Sequence, residues 1–135
     1  FICINVIVDA GGCAGNVCGF DEPRWFSEKG MVFSAGLRDM DAILGRDKEL
    51  VEKIAKAVKT ARPELVSLTM TPVPAITGTD GRALSRLCEK ATGIRTISAA
   101  TNGTELYDRG IEKAELALAE LYIKEDLGKK GKIAE

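Results

Sequence analysis

Two cysteines in a glycine-rich segment are the residues of this chain best suited to chemistry. The segment "GGCAGNVCG" at 11–19 places Cys13 and Cys18 five residues apart. A thiolate can bind iron or zinc, or take part in redox exchange. The C-x4-C spacing is looser than the paired cysteines of most zinc sites, so two interpretations stay open. Either Cys13 and Cys18 are metal ligands, or they lie in a connection that turns sharply out of a strand.

The glycines of the same segment suggest a binding role for the backbone. Glycine takes positive φ easily and lets backbone amides approach a ligand or an anion. The segment does not match the phosphate-binding pattern G-x-x-x-x-G-K-[ST], and no lysine follows it. We therefore predict a cofactor-binding loop rather than a phosphate loop, and its candidate residues are Gly11, Gly12, Cys13, Gly15 and Asn16.

The amino-acid composition excludes several classes of function. None of the 135 residues is histidine, which excludes imidazole acid–base chemistry and histidine metal ligands within this chain. A net charge of −1 gives no basic field for nucleic acid or an anionic membrane. The apolar runs are too short for a bilayer span. Four unevenly spaced cysteines favour a reducing compartment, so we expect a cytoplasmic protein.

Strand and helix patterns alternate along the chain. Short apolar, β-branched runs predict strands, and apolar residues at helical spacing predict helices. The predicted strands are 3–8, 31–36, 65–70 and 95–100. The predicted helices are 37–44, 47–61, 80–91 and a last one from Asn102 to about Lys124. Asn102 with Glu105 fits a capping box for that helix, and Thr79 or Asp80 is the expected cap of the preceding one.

This alternation predicts an α/β fold: a three-layer, Rossmann-like sandwich with a mainly parallel sheet. Right-handed crossovers would bring the loops 9–25, 36–39, 71–80 and 101–104 to the carboxyl edge, where such sheets bind ligands. The turn-rich segment "TPVPAITGTDG" thereby joins the glycine-rich one. It adds Thr71, Thr77, Gly78 and Thr79 as cofactor-binding candidates. We expect one domain over 1–124 with a polar tail over 125–135. Because the chain starts at Phe1 inside an apolar run, we expect it to be cut from a longer protein.

The order of several motifs resembles one family. "GGC" is followed by "ILGRDKELVEKI" at 43–54, by "TGTD" at 77–80, and by a pattern of Thr101, Gly103, Tyr107 and Gly110. Between about Val6 and Tyr122 the chain resembles the first part of a subunit of nitrogenase component 1 type oxidoreductases. That family includes the molybdenum–iron protein of nitrogenase and light-independent protochlorophyllide reductase. The resemblance implies three α/β domains per subunit, and this chain is similar to the first of them.

The resemblance also implies a cofactor and partners. In better-known members, cysteines of two related subunits bind an iron–sulfur cluster at their interface, and an ATP-dependent iron protein delivers the electrons. Cys13 matches the middle one of three cysteine ligands in a subunit. The third ligand position falls near Pro72, where no cysteine occurs, and Cys18 is a possible substitute.

Three functions follow as hypotheses. The first is a redox domain of a nitrogenase-like subunit that pairs with a paralogous or identical subunit and receives electrons from an iron protein. The second is a non-catalytic module of the same fold that holds a metallocofactor, a tetrapyrrole or another small anion. The third is a structural piece whose apolar faces pack on other domains. In all three cases we expect the isolated chain to be inactive.

Overall fold

The computed structural model describes residues 2–19, 30–38 and 47–131 of the chain. These residues form four strands and five helices, and their order confirms the predicted α/β class. The elements are β1 (Cys3–Val8), α1 (Gly12–Gly19), β2 (Gly30–Ser34), α2 (Asp47–Ala61), β3 (Leu65–Met70), α3 (Pro72–Thr77), α4 (Gly81–Thr92), β4 (Arg95–Ala99) and α5 (Tyr107–Gly131).

The four strands form one parallel sheet in the order β2-β1-β3-β4. Ile4 of β1 lies opposite Met31 of β2 and Val66 of β3, and Val66 lies opposite Thr96 of β4. Parallel neighbours need crossover connections, which return the chain to the same end of the sheet each time. All four strands therefore end at one carboxyl edge, as the sequence predicts.

The main hydrophobic core lies on one face of this sheet. Side chains alternate between faces along a strand, so every second residue of β1 and β3 points to the same side. Helices α2 and α4 cover that side. The core residues are Ile4, Val6, Val8, Val66, Leu68, Met70, Leu50, Val51, Ile54, Val58, Leu84 and Cys88. Burying each of the larger aliphatic side chains contributes about 1.5–3 kcal/mol, so this face supplies most of the driving force for folding.

The second face of the sheet is more polar. Helix α5 packs there over β4, and Ile97 and Ala99 are buried beneath it. Asn5, Ser67 and Thr69 on the inner strands are only half-buried. Strand β1 is therefore not fully enclosed on this side by the described part of the chain. Among the helices of the described segments, none is both long and apolar enough to cross a bilayer.

Two segments predicted as loops contain helices. Helix α1 forms within 9–25, although each interior glycine costs about 1 kcal/mol relative to alanine. Hydrogen bonds to its first amides oppose that cost, because Ala14 N–H donates to Asp9. Helix α3 forms within 71–80 because proline fits a first helical turn, where the amide has no helical partner.

The boundaries of the last helix also differ from the prediction. The Asn102 side chain accepts hydrogen bonds from the amide and hydroxyl of Thr104, and Glu105 pairs with Lys113. Neither side chain is left to form a capping box, so α5 begins at Tyr107 and extends to Gly131. Of the helix predicted over 37–44, residues 37–38 are not helical, and 39–44 lie outside the described residues.

Asp80 is the N-cap of α4, as predicted. Its carboxylate accepts hydrogen bonds from the amides of Arg82 and Ala83, at 2.9 and 3.0 Å. The Ala83 amide, followed by the Arg82 amide and the nearby Arg86 charge, lowers the pKa of Asp80. This cap fixes the start of α4, and with it the end of the segment that follows β3.

A first prediction concerns the contact between the loops after β3 and β4. Gly103 has φ +73°, and a Cβ there would lie 2.6 Å from Cδ and Cγ of Pro72. Gly93 has a similar φ of +70° but open space around it. Gly93→Ala should cost about 1–2 kcal/mol from left-handed strain alone. Gly103→Ala should cost about 1–3 kcal/mol more, because its methyl group overpacks the loop. Urea unfolding of both variants measures the difference, and equal losses would contradict the close approach.

A second prediction concerns alkaline stability. Cys88 is fully buried, and burial, with a smaller effect of the Asp47 carboxylate, raises the pKa of its thiol from 9.0 to about 11. A raised pKa means that the thiol stabilises the fold fully below pH 9 and loses this contribution between pH 9 and 11. Cys88→Ala should lower Tm at pH 7 through lost packing, yet flatten the decline of Tm from pH 9 to 11. The exposed Cys18→Ala is the matched control for loss of a cysteine, and it should leave Tm at pH 7 nearly unchanged because it removes no buried packing.

Candidate functional site

Side-chain hydroxyls hold the carboxyl ends of the strands together. The Thr71 hydroxyl donates to the Val8 carbonyl at 2.7 Å, which links the exit of β3 to the exit of β1. The Thr101 hydroxyl donates to the Met70 carbonyl at 2.6 Å and links the exit of β4 to that of β3. These bonds fix the relative positions of three connecting segments, so the carboxyl edge is a defined surface.

Asp9 joins the remaining exit, that of β2, to the exit of β1, and the sequence analysis did not single it out. Its side chain is 1% exposed. One carboxylate oxygen accepts the Ala14 N–H of α1 at 2.8 Å, and the other accepts the Ser34 hydroxyl of β2 at 2.6 Å. An aspartate at the end of a strand and just before a helix is a capping signal that could have identified it. Asp9 therefore sets the position of α1 relative to β1 and β2.

Cys13 lies in the first turn of α1, and its side chain is exposed at the carboxyl edge. Gly11, with φ +113°, makes the turn from β1 into this helix. Cys18 is also exposed, near the other end of α1. Five residues along an α-helix amount to a rotation of about 140° and a rise of about 7.5 Å. The two thiols therefore extend from different faces of α1 and do not converge on one point.

The expected glycine cradle is not present in the form predicted. Only Gly11 takes positive φ, whereas Gly12, Gly15 and Gly19 have helical conformations within α1. The sequence analysis expected that these glycines allow positive φ, and among the four of this segment Gly11 adopts it, because the Asp9 hydrogen bond favours a helix over an open loop. Gly12, Gly15 and Asn16 are exposed on that helix. They form the surface around Cys13 rather than a loop of free amides.

The candidates from the second segment are divided between two places. Thr71 is buried at the sheet edge, and its hydroxyl already donates a hydrogen bond to the Val8 carbonyl. Thr77 ends α3, and its hydroxyl bonds to the Val73 carbonyl and lies 3.3 Å from the Thr79 hydroxyl. Gly78, with φ +75°, ends the helix in the left-handed conformation. The six residues of α3 place Thr77 about 9 Å along the helix axis from Thr71, so these residues do not form one cluster.

A groove that the sequence analysis did not predict lies beside the carboxyl end of β4. Its volume is about 350 Å³, and its floor consists of small and apolar residues of the sheet and of α5. Those residues are Thr69, Ala99, Gly110, Ile111 and Ala114. Glu105, which forms an ion pair with Lys113, is among its lining residues. A groove of this size and lining is within the range of small-molecule sites.

The donor set of the described residues determines what metal chemistry they can support. No group of three or more histidine, cysteine, aspartate or glutamate residues that could hold a metal ion occurs within 2–19, 30–38 and 47–131. Cys13 is nevertheless an exposed free thiol at the edge where α/β sheets bind ligands. A metal site that includes this thiol would need further ligands from residues outside this set.

Comparison with known proteins identifies the family of the chain. The family model for nitrogenase component 1 type oxidoreductase matches residues 10–134. The curated relatives include two proteins with the name nitrogenase iron-molybdenum cofactor biosynthesis protein NifE, one from Methanococcus maripaludis strain S2 and one from Methanococcus maripaludis. Both are 30% identical to the chain over 77 residues, which are 57% of the chain and 16% of the relative. The chain thus corresponds to a minor part of the relatives it matches.

Solved structures show the same fold. A structure of nitrogenase Cp1 at pH 6.5 superposes with a TM-score of 0.62 over 75% of this chain and 21% of that chain. A structure of nitrogenase Cp1 at pH 5 gives a TM-score of 0.63 over 76% and 22%, respectively. Sequence identity is 19% in both cases, so this likeness concerns the fold alone. Taken with the family model, which spans nearly the whole chain, these results show that the chain belongs to the nitrogenase component 1 type oxidoreductase family.

Proposed function

We propose that the chain is a domain of a nitrogenase-like oxidoreductase subunit in which Cys13 is one thiolate ligand of an iron–sulfur cluster shared with a second subunit. The observation that carries the proposal is the exposure of Cys13 at the carboxyl edge, in a chain of this family. The described residues offer no complete metal site, and a cluster held between subunits does not require one.

The residues around Cys13 suit such a role. Gly12 and Gly15 have no side chains that would keep a partner surface away from the thiol, and apart from the adjoining backbone of α1 nothing in the described structure lies within 4 Å of a Cβ built on either. Asn16 is exposed on the same helix and can donate or accept a hydrogen bond at the rim. As further groups of the proposed site we include Thr77, Gly78 and Thr79, which lie in the segment after the neighbouring strand β3.

A cluster bound there would supply one-electron redox chemistry, and the chain would bind and orient it. Thr71 and Asp9 act indirectly, because their hydrogen bonds hold the segments that carry the exposed groups. The partners of this proposal are a paralogous or identical component 1 subunit and an ATP-dependent iron protein as electron donor. The proposed cellular location is the cytoplasm, where thiol ligands stay reduced.

A second candidate function is that of a carrier or assembly subunit for a metallocofactor. The match to a cofactor biosynthesis protein supports this alternative. The lack of a cysteine near Pro72 supports it as well, since proline has no group that binds iron. In this role the edge would hold a preformed cofactor through surface contacts, and the Cys13 thiol would not be required.

A third prediction separates the two candidates. The full-length protein in its native complex is reconstituted anaerobically with ferrous iron and sulfide. If Cys13 is a ligand, Cys13→Ala should remove most of the reconstituted iron and its EPR signal. Cys18→Ala should retain both, because Cys18 lies on another face of α1. This matched pair of thiol deletions controls for the loss of a cysteine as such.

The possible outcomes are distinct. Iron content that is equal in Cys13→Ala and wild-type complexes would contradict the ligand role. It would favour the carrier role if Cys13→Ala also leaves the affinity for a preformed cofactor nearly unchanged. Absence of a cluster from both the wild-type protein and its native complex would exclude the redox proposal.

A fourth prediction tests the positioning role of Asp9. Asp9→Ala leaves the buried Ala14 amide and the Ser34 hydroxyl without their acceptor, and should cost about 2–4 kcal/mol in the free energy of unfolding. Asp9→Asn retains an acceptor oxygen for Ala14 and should cost clearly less. The rate at which iodoacetamide alkylates Cys13 should change in Asp9→Ala and stay nearly constant in Asp9→Asn. An unchanged rate and stability in both variants would show that α1 is held by other contacts.

A further inference from the structure

The outer edge of β4 presents backbone groups that point away from the sheet. In the described sheet β4 pairs with β3 on one side only. The Thr96 N–H donates to the Glu89 carboxylate of α4 at 3.2 Å, so it points away from β3. Backbone direction alternates along a strand, and the N–H and C=O of Ser98 therefore point the same way. The Ala100 carbonyl also points away from β3, since it accepts a hydrogen bond from the Lys113 ammonium of α5 at 3.0 Å.

Two helices extend alongside this edge and form a slot of about 490 Å³. Helix α4 lies on the core face of the sheet and α5 on the opposite face. Each contributes residues at helical spacing. The α4 wall consists of Arg82, Ser85, Arg86 and Glu89, and the α5 wall consists of Lys113, Leu116, Ala117, Glu120 and Leu121. The slot thus has two exposed guanidinium groups on one side and a mainly apolar surface on the other.

The two charged contacts mark the ends of the available edge. Glu89 satisfies the Thr96 amide at one end, and Lys113 satisfies the Ala100 carbonyl at the other. Ser98 lies between them. Its hydroxyl oxygen is buried and has no hydrogen-bond partner in the described part of the chain. The centre of the edge therefore has backbone groups directed outward and one polar side-chain atom that lacks a partner.

We propose that this slot, defined by the β4 edge and the facing residues of α4 and α5, binds an extended segment of a partner protein as a fifth strand. An added strand would pair with the N–H and C=O of Ser98 and direct its side chains alternately to the two faces. Side chains on one face would meet Arg82 and Arg86, and those on the other would meet Leu116 and Leu121. The segment recognised therefore alternates carboxylate and apolar side chains.

The geometry disfavours a second copy of the chain as the occupant. A second β4 would bring its own α4 and α5 to the same edge. Each pair of helices already flanks the slot, and packed helices need about 8–10 Å between their axes. A single extended segment without flanking helices does not meet this restriction. The slot is thus better suited to a loop or terminus of a partner.

The test uses the ¹⁵N-labelled chain and two capped hexapeptides. One alternates valine and glutamate, and the control has the same composition with three valines followed by three glutamates. The alternating peptide should shift the amide resonances of Thr96 and Ser98 and slow hydrogen exchange at Ser98. The block peptide should bind at least about tenfold more weakly, because it cannot direct like side chains to one face. Equal binding of the two peptides, or shifts confined to other surfaces, would overturn the proposal.

Substitutions on each wall complete the test. Arg86→Glu should reduce affinity for the alternating peptide at least about tenfold through charge repulsion, and Leu116→Asp should do the same from the other wall. Lys56→Glu reverses a charge on α2, away from the slot, and should leave affinity unchanged. Unaltered affinity in both wall variants would contradict the proposed orientation. Concentration-dependent dimers that protect the Ser98 amide without peptide would show that a second copy fills the slot, which would also overturn the proposal.

Discussion

Parallel pairing of β1 with β2 and β3 is the constraint on which the rest of the molecule depends. It requires each strand to return to the same end of the sheet, so the segments after all four strands meet at one edge. The bonds from Thr71 to Val8, from Thr101 to Met70 and from Ser34 to Asp9 then connect these segments in pairs. The segments at this edge are thus positioned by bonds between neighbouring strand exits rather than by the preferred conformation of any single loop.

The arrangement of the strands could be predicted from sequence because it depends on long, redundant patterns. Apolar β-branched runs and amphipathic helices such as α2 and α4 repeat the same information over many residues. The glycine-rich segment is different. Its propensity favours a loop, whereas the Asp9 side chain, three residues before the helix, accepts the Ala14 amide and favours a helix. A single hydrogen bond from one nearby side chain leaves no periodic signal. The same holds for Asn102, whose side chain bonds to Thr104 instead of starting α5.

The candidate site was predictable only in part, for a related reason. Topology placed Cys13 at the carboxyl edge, and this needed no knowledge of side-chain contacts. The relation between Cys13 and Cys18 depended on whether the intervening residues were extended or helical, which sequence did not resolve. Once they are helical, the thiols separate around the axis of α1, and one of them remains as the ligand candidate. The groove beside β4 escaped prediction because residues from β3, β4 and α5 contribute to it together.

Cys13 and the β4 edge share a physical property. Each presents groups whose binding partners would have to come from outside the described residues. A single exposed thiol cannot complete the coordination of a metal ion. The outward-facing amides of an edge strand cannot form hydrogen bonds with the same strand. Edge strands of this kind are commonly blunted by charges, and Glu89 and Lys113 do this at the two ends of β4. They leave the centre around Ser98 open and flanked by walls of different chemistry. Charged side chains lie along the slot as well as at its ends: Arg82 and Arg86 are on one wall, whereas Leu116 and Leu121 are on the other. In the proposed complex, this difference between the walls makes the order of side chains in the added strand the property by which a partner is recognised.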